Sequence, residues 1–318
     1  MRFARFATPD GPHVALVDGD TLVDLTAVDP AFGDDPVPIL AAGPAGMDAA
    51  AATASAAPLH DRTPLDSVCL LPPVPRPPRF VGIGFNFRGH DADPGSAPPG
   101  FPLFFNKQTT CAIGPNDPIL APPASDQLDY EGELVLVIGR RCRNVPAERA
   151  SEVVAGCMVG NDVSARDWQR RSPTVTLGKS FDGTAPVGPW VTTLDEVGDV
   201  ADMHIRTWVN DELVQDGHTA DMITDCWEQI ALLSSVFTLL PGDLISTGTP
   251  PGAAQQQPDP RWLRIGDRVR VAIDGLGELD NAVAEGSTAT EIEPPAPWPA
   301  APWPAAPWPV EPTRRTRP

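Results

Sequence analysis

The segment Asp129-Tyr130-Glu131-Gly132-Glu133-Leu134-Val135-Leu136-Val137-Ile138-Gly139 sets two acids at the head of an apolar run rich in Val and Leu. Such a run reads as a strand that wants burial. Glu131 and Glu133 are two apart, so on a strand both side chains leave from the same face. Two carboxylates side by side at the start of a buried strand repel each other and are costly to desolvate. A divalent cation is the simplest compensation. Asp162, within Gly160-Asn161-Asp162-Val163-Ser164-Ala165-Arg166-Asp167, is the candidate third ligand. An all-oxygen set suits Mg²⁺, Mn²⁺ or Ca²⁺ rather than zinc. The plainer alternative has Glu131 and Glu133 facing solvent and Asp162 capping a helix that starts at Val163.

Around this segment the chain reads as many short strands broken by Gly, Pro and Asp turns, with few helices. That pattern predicts a β-rich α+β fold. Residues 1 to about 70 form a small N-terminal module. Its strand-like runs His13–Val17 and Thr21–Leu25 flank a Gly19-Asp20 turn and so predict a hairpin. An alanine-rich segment over 41–57 predicts a helix. Pro72-Pro73-Val74-Pro75-Arg76-Pro77-Pro78 reads as an extended connector. The catalytic body follows over 71–293, with strands expected at Phe80–Gly84, Leu134–Ile138, Trp190–Thr193, His204–Val209, Asp243–Thr247 and Arg268–Ile273. One amphipathic helix is expected from Met222 to Leu240, because Ile223, Trp227, Ile230, Leu233, Phe237 and Leu240 recur at steps of three and four. Pro241-Gly242 ends it. Over 294–318 the cassette Ala-Pro-Trp-Pro repeats three times. Proline fixes φ and removes donors, so this tail is expected to be extended or disordered.

Charge narrows the partners. With 23 basic and 42 acidic residues the formal net charge is −19, which disfavours nucleic acid and anionic membrane. No apolar run is long enough to span a bilayer. The first residues lack the apolar core of a signal peptide. The 5 cysteines are an odd set without a CxxC pair, which argues against a disulfide framework or a zinc cluster and fits a cytoplasmic protein.

From about Phe80 to Ile292, an ordered series of signatures resembles the fumarylacetoacetate hydrolase family. The series runs Gly82-Ile83-Gly84-Phe85-Asn86-Phe87-Arg88-Gly89-His90, Phe104-Phe105-Asn106-Lys107, the Glu131/Glu133 segment, and Asn161 to Gln169. Gly178-Lys179-Ser180-Phe181-Asp182, Pro186-Val187-Gly188-Pro189-Trp190 and Pro241 to Gly252 complete it. The resemblance implies a mixed β-sandwich or roll, a homodimer, and a Mg²⁺ or Mn²⁺ site held by Glu131, Glu133 and Asp162. It implies a small-molecule 2-oxo acid substrate. Members hydrolyse C–C bonds in acylpyruvates and related β-diketo acids; others isomerise, decarboxylate or tautomerise 2-oxo acids.

His90 matches the family's water-activating histidine, with Asp93 at the position of its orienting acid. Residues i and i+3 are neighbours on a helical turn, although Pro94 disfavours a helix there and Asp91 is a rival partner. Lys179 matches a lysine beside the metal that stabilises negative charge on substrate; a salt-bridging role without chemistry is its alternative. Arg166 and Gln169 match substrate-contacting positions. Arg166 has the geometry to grip a carboxylate, or equally to pair with a structural acid. Thr249 sits in a loop suited to holding a carboxylate or enolate, or is part of a plain turn. Phe87 replaces the family's usual tyrosine. The expected activity is C–C hydrolysis of an acylpyruvate-like acid. A tautomerase, isomerase or decarboxylase using the same site is the alternative, and a scaffold acting through the Pro-Trp tail is the non-enzymatic one.

Overall fold

The computed structural model describes residues 1–57, 62–89 and 101–291. His90, Asp93 and the loop from Pro94 to Gly100 therefore lie outside the described residues, as does the tail over 294–318. Met1–Gly286 form one compact unit and Ser287–Pro318 a separate one. Every helix and strand among the described residues lies in the first.

In chain order the main elements begin with β1 (Arg2–Thr8), β2 (Gly11–Asp18), β3 (Thr21–Asp24) and helix α1 (Pro44–Ala56). Next come β4 (Phe80–Gly84), β5 (Leu103–Lys107), β6 (Gly132–Ile138), β7 (Val154–Asn161), the single turn α2 (Arg166–Gln169) and β8 (Ala185–Thr193). The remainder are β9 (His204–Val209), β10 (Glu212–His218), α3 (Cys226–Val236), β11 (Leu244–Ser246), β12 (Arg268–Ile273) and β13 (Gly277–Glu285). The β-rich α+β class expected from the sequence is the one observed.

The larger sheet runs β3-β2-β1-β8-β7-β6-β11-β4-β5, so the N-terminal strands extend it through the antiparallel pair β1–β8. The β2–β3 turn uses Gly19 at φ +60°, the conformation a tight hairpin demands. A second sheet runs β10-β9-β12-β13 and ends on the short strand Ile119–Ala121. Both faces of β6 are buried. Leu134, Leu136 and Ile138 pack towards the second sheet with Ile205, Val271 and Leu279. Val135 and Val137 pack the opposite way, with Phe3, Leu16, Leu40 and Met158. This explains why the run is apolar throughout instead of alternating.

Helix α3 is shorter than the apolar periodicity predicts. The Asp225 carboxylate accepts from the Trp227 and Glu228 N–H groups, and the Glu228 carboxylate accepts from the Asp225 N–H, a capping box that starts the helix there. At the other end Phe237 is extended (φ −141°, ψ 162°), and Leu239 exchanges backbone hydrogen bonds with Cys142. Phe237 and Leu240 keep the helical spacing but belong to a segment that pairs as a bridge. Phe87 is fully buried in the core.

Candidate active site

Antiparallel pairing of β6 with β7 sets Gly132 opposite Asn161. The head of one strand therefore meets the foot of the other, and the three acids converge. Asp162 N–H donates to Glu131 O (2.8 Å), and Glu131 N–H donates to Asn161 Oδ1 (3.0 Å). One oxygen from each of Glu131, Glu133 and Asp162 lies within 4.8 Å of the others, and all three residues are buried. Asp162 does not cap a helix: α2 starts later, at Arg166, and Ala165 precedes it without a side-chain cap.

The next strand over, β11, fixes the rotamer of Glu133. Its Oε2 accepts the Ser246 hydroxyl (2.5 Å) and the Gly248 N–H (2.9 Å). Gly248 sits at φ +95°, and a Cβ there would meet Asn86 Cβ at 2.8 Å, so only glycine brings this N–H to the carboxylate. Asn86 in turn donates to Thr247 O and Thr224 O and accepts from Thr224 N–H. Thr249 lines the cavity, with its hydroxyl donating to Gly132 O (2.9 Å) and accepting from Gln215 Nε2 (2.8 Å).

Three buried cations face the acids. Lys179 donates to Asp162 Oδ2 (2.7 Å) and to Glu131 Oε2. Lys107 donates to Asp162 Oδ1 (2.5 Å) and to the Lys179 carbonyl (2.5 Å). Arg166 binds Asp129 (2.8 Å), Glu131 Oε1 (2.6 Å) and Gln169 Oε1 (2.7 Å). In this arrangement the Arg166 guanidinium is turned on Asp129 and the candidate ligand Glu131, and holds the Gln169 amide beside the cavity. The sequence assigns no role to Lys107 or Asp129. The signal for Lys107 is a lone lysine ending an apolar strand, Leu103-Phe104-Phe105-Asn106. Asp129 is also fully buried and accepts from Ala254 and Gln255 N–H groups.

The charge balance is uneven. Asp129, Glu131, Glu133 and Asp162 are buried against Lys107, Arg166 and Lys179, leaving one carboxylate more than the cations can match. Burial raises the Glu131 carboxyl, but Arg166 and Lys179 outweigh it and hold the group well below the ordinary range. Glu133 shows the opposite balance: burial first, then Asp162 and Glu131, push it up to about 8. Burial works against Lys107, yet Asp162 overcomes it and raises the ammonium. The excess carboxylate charge and an all-oxygen donor set fit a hard divalent cation held by Glu131, Glu133 and Asp162. The cavity beside these groups is also lined by Ile83, Phe85, Leu103, Phe105 and Val175, and the Lys179 ammonium lies 5.1 Å over the centre of the Phe105 ring.

The model for the fumarylacetoacetate (FAA) hydrolase C-terminal domain matches residues 79–284. The chain belongs to the fumarylacetoacetate hydrolase family. An N-terminal family described as Rv2993c-like matches residues 1–73. Among curated relatives, the mitochondrial oxaloacetate tautomerase Fahd2a of Rattus norvegicus is 37% identical over 289 residues, covering 89% of this chain and 91% of that protein. Protein Rv2993c of Mycobacterium tuberculosis is 38% identical over 285 residues, covering 89% and 98%. Of solved structures, the maleylpyruvate hydrolase from Sphingobium sp. SYK-6, in complex with manganese(II) and pyruvate, superposes with a TM-score of 0.75 at 34% identity. That match covers 90% of this chain and 100% of the other. The 2-hydroxyhepta-2,4-diene-1,7-dioate isomerase from Mycobacterium marinum gives 0.71 at 34% identity, over 90% and 98%. This member of the hydrolase family is an enzyme with an acidic triad able to hold a divalent metal.

Proposed function

We propose that the protein hydrolyses a C–C bond in an acylpyruvate-type 2-oxo acid, using Mg²⁺ or Mn²⁺ at Glu131, Glu133 and Asp162. The observation that carries this reading is the buried acid triad with Lys179 bonded to two of its members. When bound, a divalent cation supplies electrophilic polarisation and a seat for the carboxylate and 2-oxo oxygens. Lys179 Nζ, already beside that seat, supplies positive charge for the pyruvate enolate that leaves. The Gln169 amide, fixed by Arg166, orients the substrate. His90, with Asp93 as its acid partner, takes a proton from the attacking water; hydroxide adds to the distal carbonyl, and the bond to the enolate carbon breaks. One water is consumed, and a carboxylic acid and pyruvate are released. The solved maleylpyruvate hydrolase supports the hydrolytic reading. The tautomerase relatives support a second one, in which the same enolate stabilisation serves keto–enol exchange without water.

The test is turnover of acetylpyruvate by EDTA-stripped protein reloaded with Mn²⁺ or Mg²⁺, followed by pyruvate release, alongside keto–enol exchange of oxaloacetate. Metal-dependent pyruvate release, lost in Glu133→Ala together with metal binding and lost in His90→Ala without it, is the expected result. Rapid oxaloacetate exchange with no pyruvate release would replace hydrolysis by tautomerisation.

A further inference from the structure

We infer that Gln215 is a positioning residue of the site: its carboxamide ties the peptide between Glu131 and Glu133 to the loop that carries Thr249, and so holds the ion seat and the cavity lining at one spacing. This rests on the metal reading of the acid triad. Gln215 stands on β10, in the second sheet, and is the one buried residue of that strand, at 1% exposure. A bulge puts it there. Trp208 pairs with Leu213 and Thr207 with Gln215, so Val214 is one residue extra. Paired residues of antiparallel strands share a face, and Thr207 is fully buried. The extra residue therefore turns Gln215, in place of Val214, towards the larger sheet. Bulges recur beside active sites, where they re-aim a side chain.

The buried amide has a single orientation. Gly132 N–H, which can only donate, meets Gln215 Oε1 (2.9 Å), and Pro250 O, which can only accept, meets Nε2 (2.8 Å). Gln215 Nε2 also donates to Thr249 Oγ1 (2.8 Å), and the Thr249 hydroxyl donates to Gly132 O (2.9 Å). The bonds form a closed circuit that leaves Gly132 by its N–H and returns to its carbonyl. Both polar backbone groups of the residue between Glu131 and Glu133 are thus held by Gln215, one directly and one through Thr249.

The glycines around this circuit show how closely its parts meet. A Cβ on Gly132 would collide with Thr207 Oγ1 and lie 2.9 Å from Val271 Cγ1. A Cβ on Gly252 would collide with the carbonyl of Val214, the bulged residue, and one on Gly217 with Pro250 Cβ. The loop from Gly248 to Gly252 is therefore pressed on β10 from behind. In front, its Gly248 N–H donates to Glu133 Oε2 (2.9 Å) and Thr249 lines the cavity. Loss of the Gln215 amide frees this loop and the Gly132 peptide together, and leaves buried polar groups on both without partners.

The experiment reads binding, so it does not depend on which reaction follows. Calorimetry gives dissociation constants for Mn²⁺ on EDTA-stripped protein and for pyruvate on Mn²⁺-saturated protein, beside melting temperatures. Gln215→Met keeps the length of the side chain and removes all three of its bonds. Its Mn²⁺ constant should rise about tenfold or more, the scale on which groups behind metal ligands act. Pyruvate should weaken about 3–10-fold, the worth of a neutral hydrogen bond. Thr249→Val should weaken pyruvate by a similar factor, and the double variant should lose well below the product of the two, because each breaks the same circuit. Asn281→Leu is the control. Asn281 is an equally buried amide of the second sheet, bonded to Gly114 O and Asp117 O; its loss should lower the melting temperature and leave both ligands bound as in wild type. If Gln215→Met does not fold, Gln215→Asn, which stays polar but withdraws the amide by one methylene, should weaken both ligands. A Gln215 variant that melts lower yet binds Mn²⁺ and pyruvate within about twofold of wild type would leave the residue a structural role only and overturn the inference. Fully multiplicative losses in the double variant would overturn the circuit. Wild-type protein that takes up no Mn²⁺ would defeat the metal reading, and the inference with it.

Discussion

Lys107→Met tests the charge balance of the site most directly. The Lys107 side chain is fully buried, and its ammonium bridges Asp162 Oδ1 and the Lys179 carbonyl. Methionine keeps the apolar stem and removes the charge. Asp162 then retains only Lys179, and four buried acids face two cations instead of three. Removing one partner of a buried ion pair costs about 3–5 kcal/mol. For a domain of this size each kcal/mol lowers the melting temperature by about 2–4 °C, so metal-free Lys107→Met should melt roughly 6–20 °C below wild type. Saturating Mn²⁺ should narrow that gap, because a cation on the stripped Asp162 carboxylate replaces part of the lost attraction. A ligand held at about one hundred times its dissociation constant stabilises by about 2.7 kcal/mol. The assay is thermal melting in EDTA and in excess Mn²⁺, on a double-mutant cycle with Asp162→Asn. A coupling energy of about 1.5–3 kcal/mol is expected. A metal-free loss below 2 °C, or a coupling below about 0.5 kcal/mol, would refute the pair and the charge balance built on it.

Glu133 gives a pH signature. Its carboxyl is raised to about 8 by burial and by Asp162 and Glu131, so between its ordinary range and pH 8 the folded, metal-free protein holds a proton that the unfolded chain releases. Stability from this group is complete at pH 4 and falls as pH rises through 8; melting in EDTA should show that decline, and Glu133→Gln should flatten it. Arg166→Lys, which loses the fork spanning Asp129 and Glu131, should weaken Mn²⁺ binding about 10–100-fold by calorimetry. Asn86→Ala strands buried backbone groups of Thr224 and Thr247 and should cost about 2–4 kcal/mol in denaturant unfolding.

The legible parts of the chain were those where local chemistry and tertiary environment agree. The run from Leu134 to Ile138 announced a buried strand because both of its faces pack on apolar partners. The two-residue spacing of Glu131 and Glu133 placed both acids on one side. The Gly19-Asp20 hairpin follows from a turn with one solution. Sequence periodicity overran α3 because Phe237 and Leu240 serve core packing at helical spacing without helical backbone. Arg166 could not be assigned from sequence: its partners Asp129 and Glu131 lie 37 and 35 residues away, and only the β6–β7 pairing decides whether they are within reach. Lys107 stayed hidden for a similar reason, since Asp162 is 55 residues distant.

Glu133 lies in β6, and Glu131 and Asp162 directly flank the antiparallel pair of β6 and β7, whereas the lysines arrive from other segments. The seat for the ion is thus a portable cassette, and everything that decides which molecule comes to it is attached from outside. Changes in the segments that line the cavity leave this pairing, and with it the seat, in place. A one-residue slip between the two strands, by contrast, would swing Glu133 to the opposite face and end every chemistry at once.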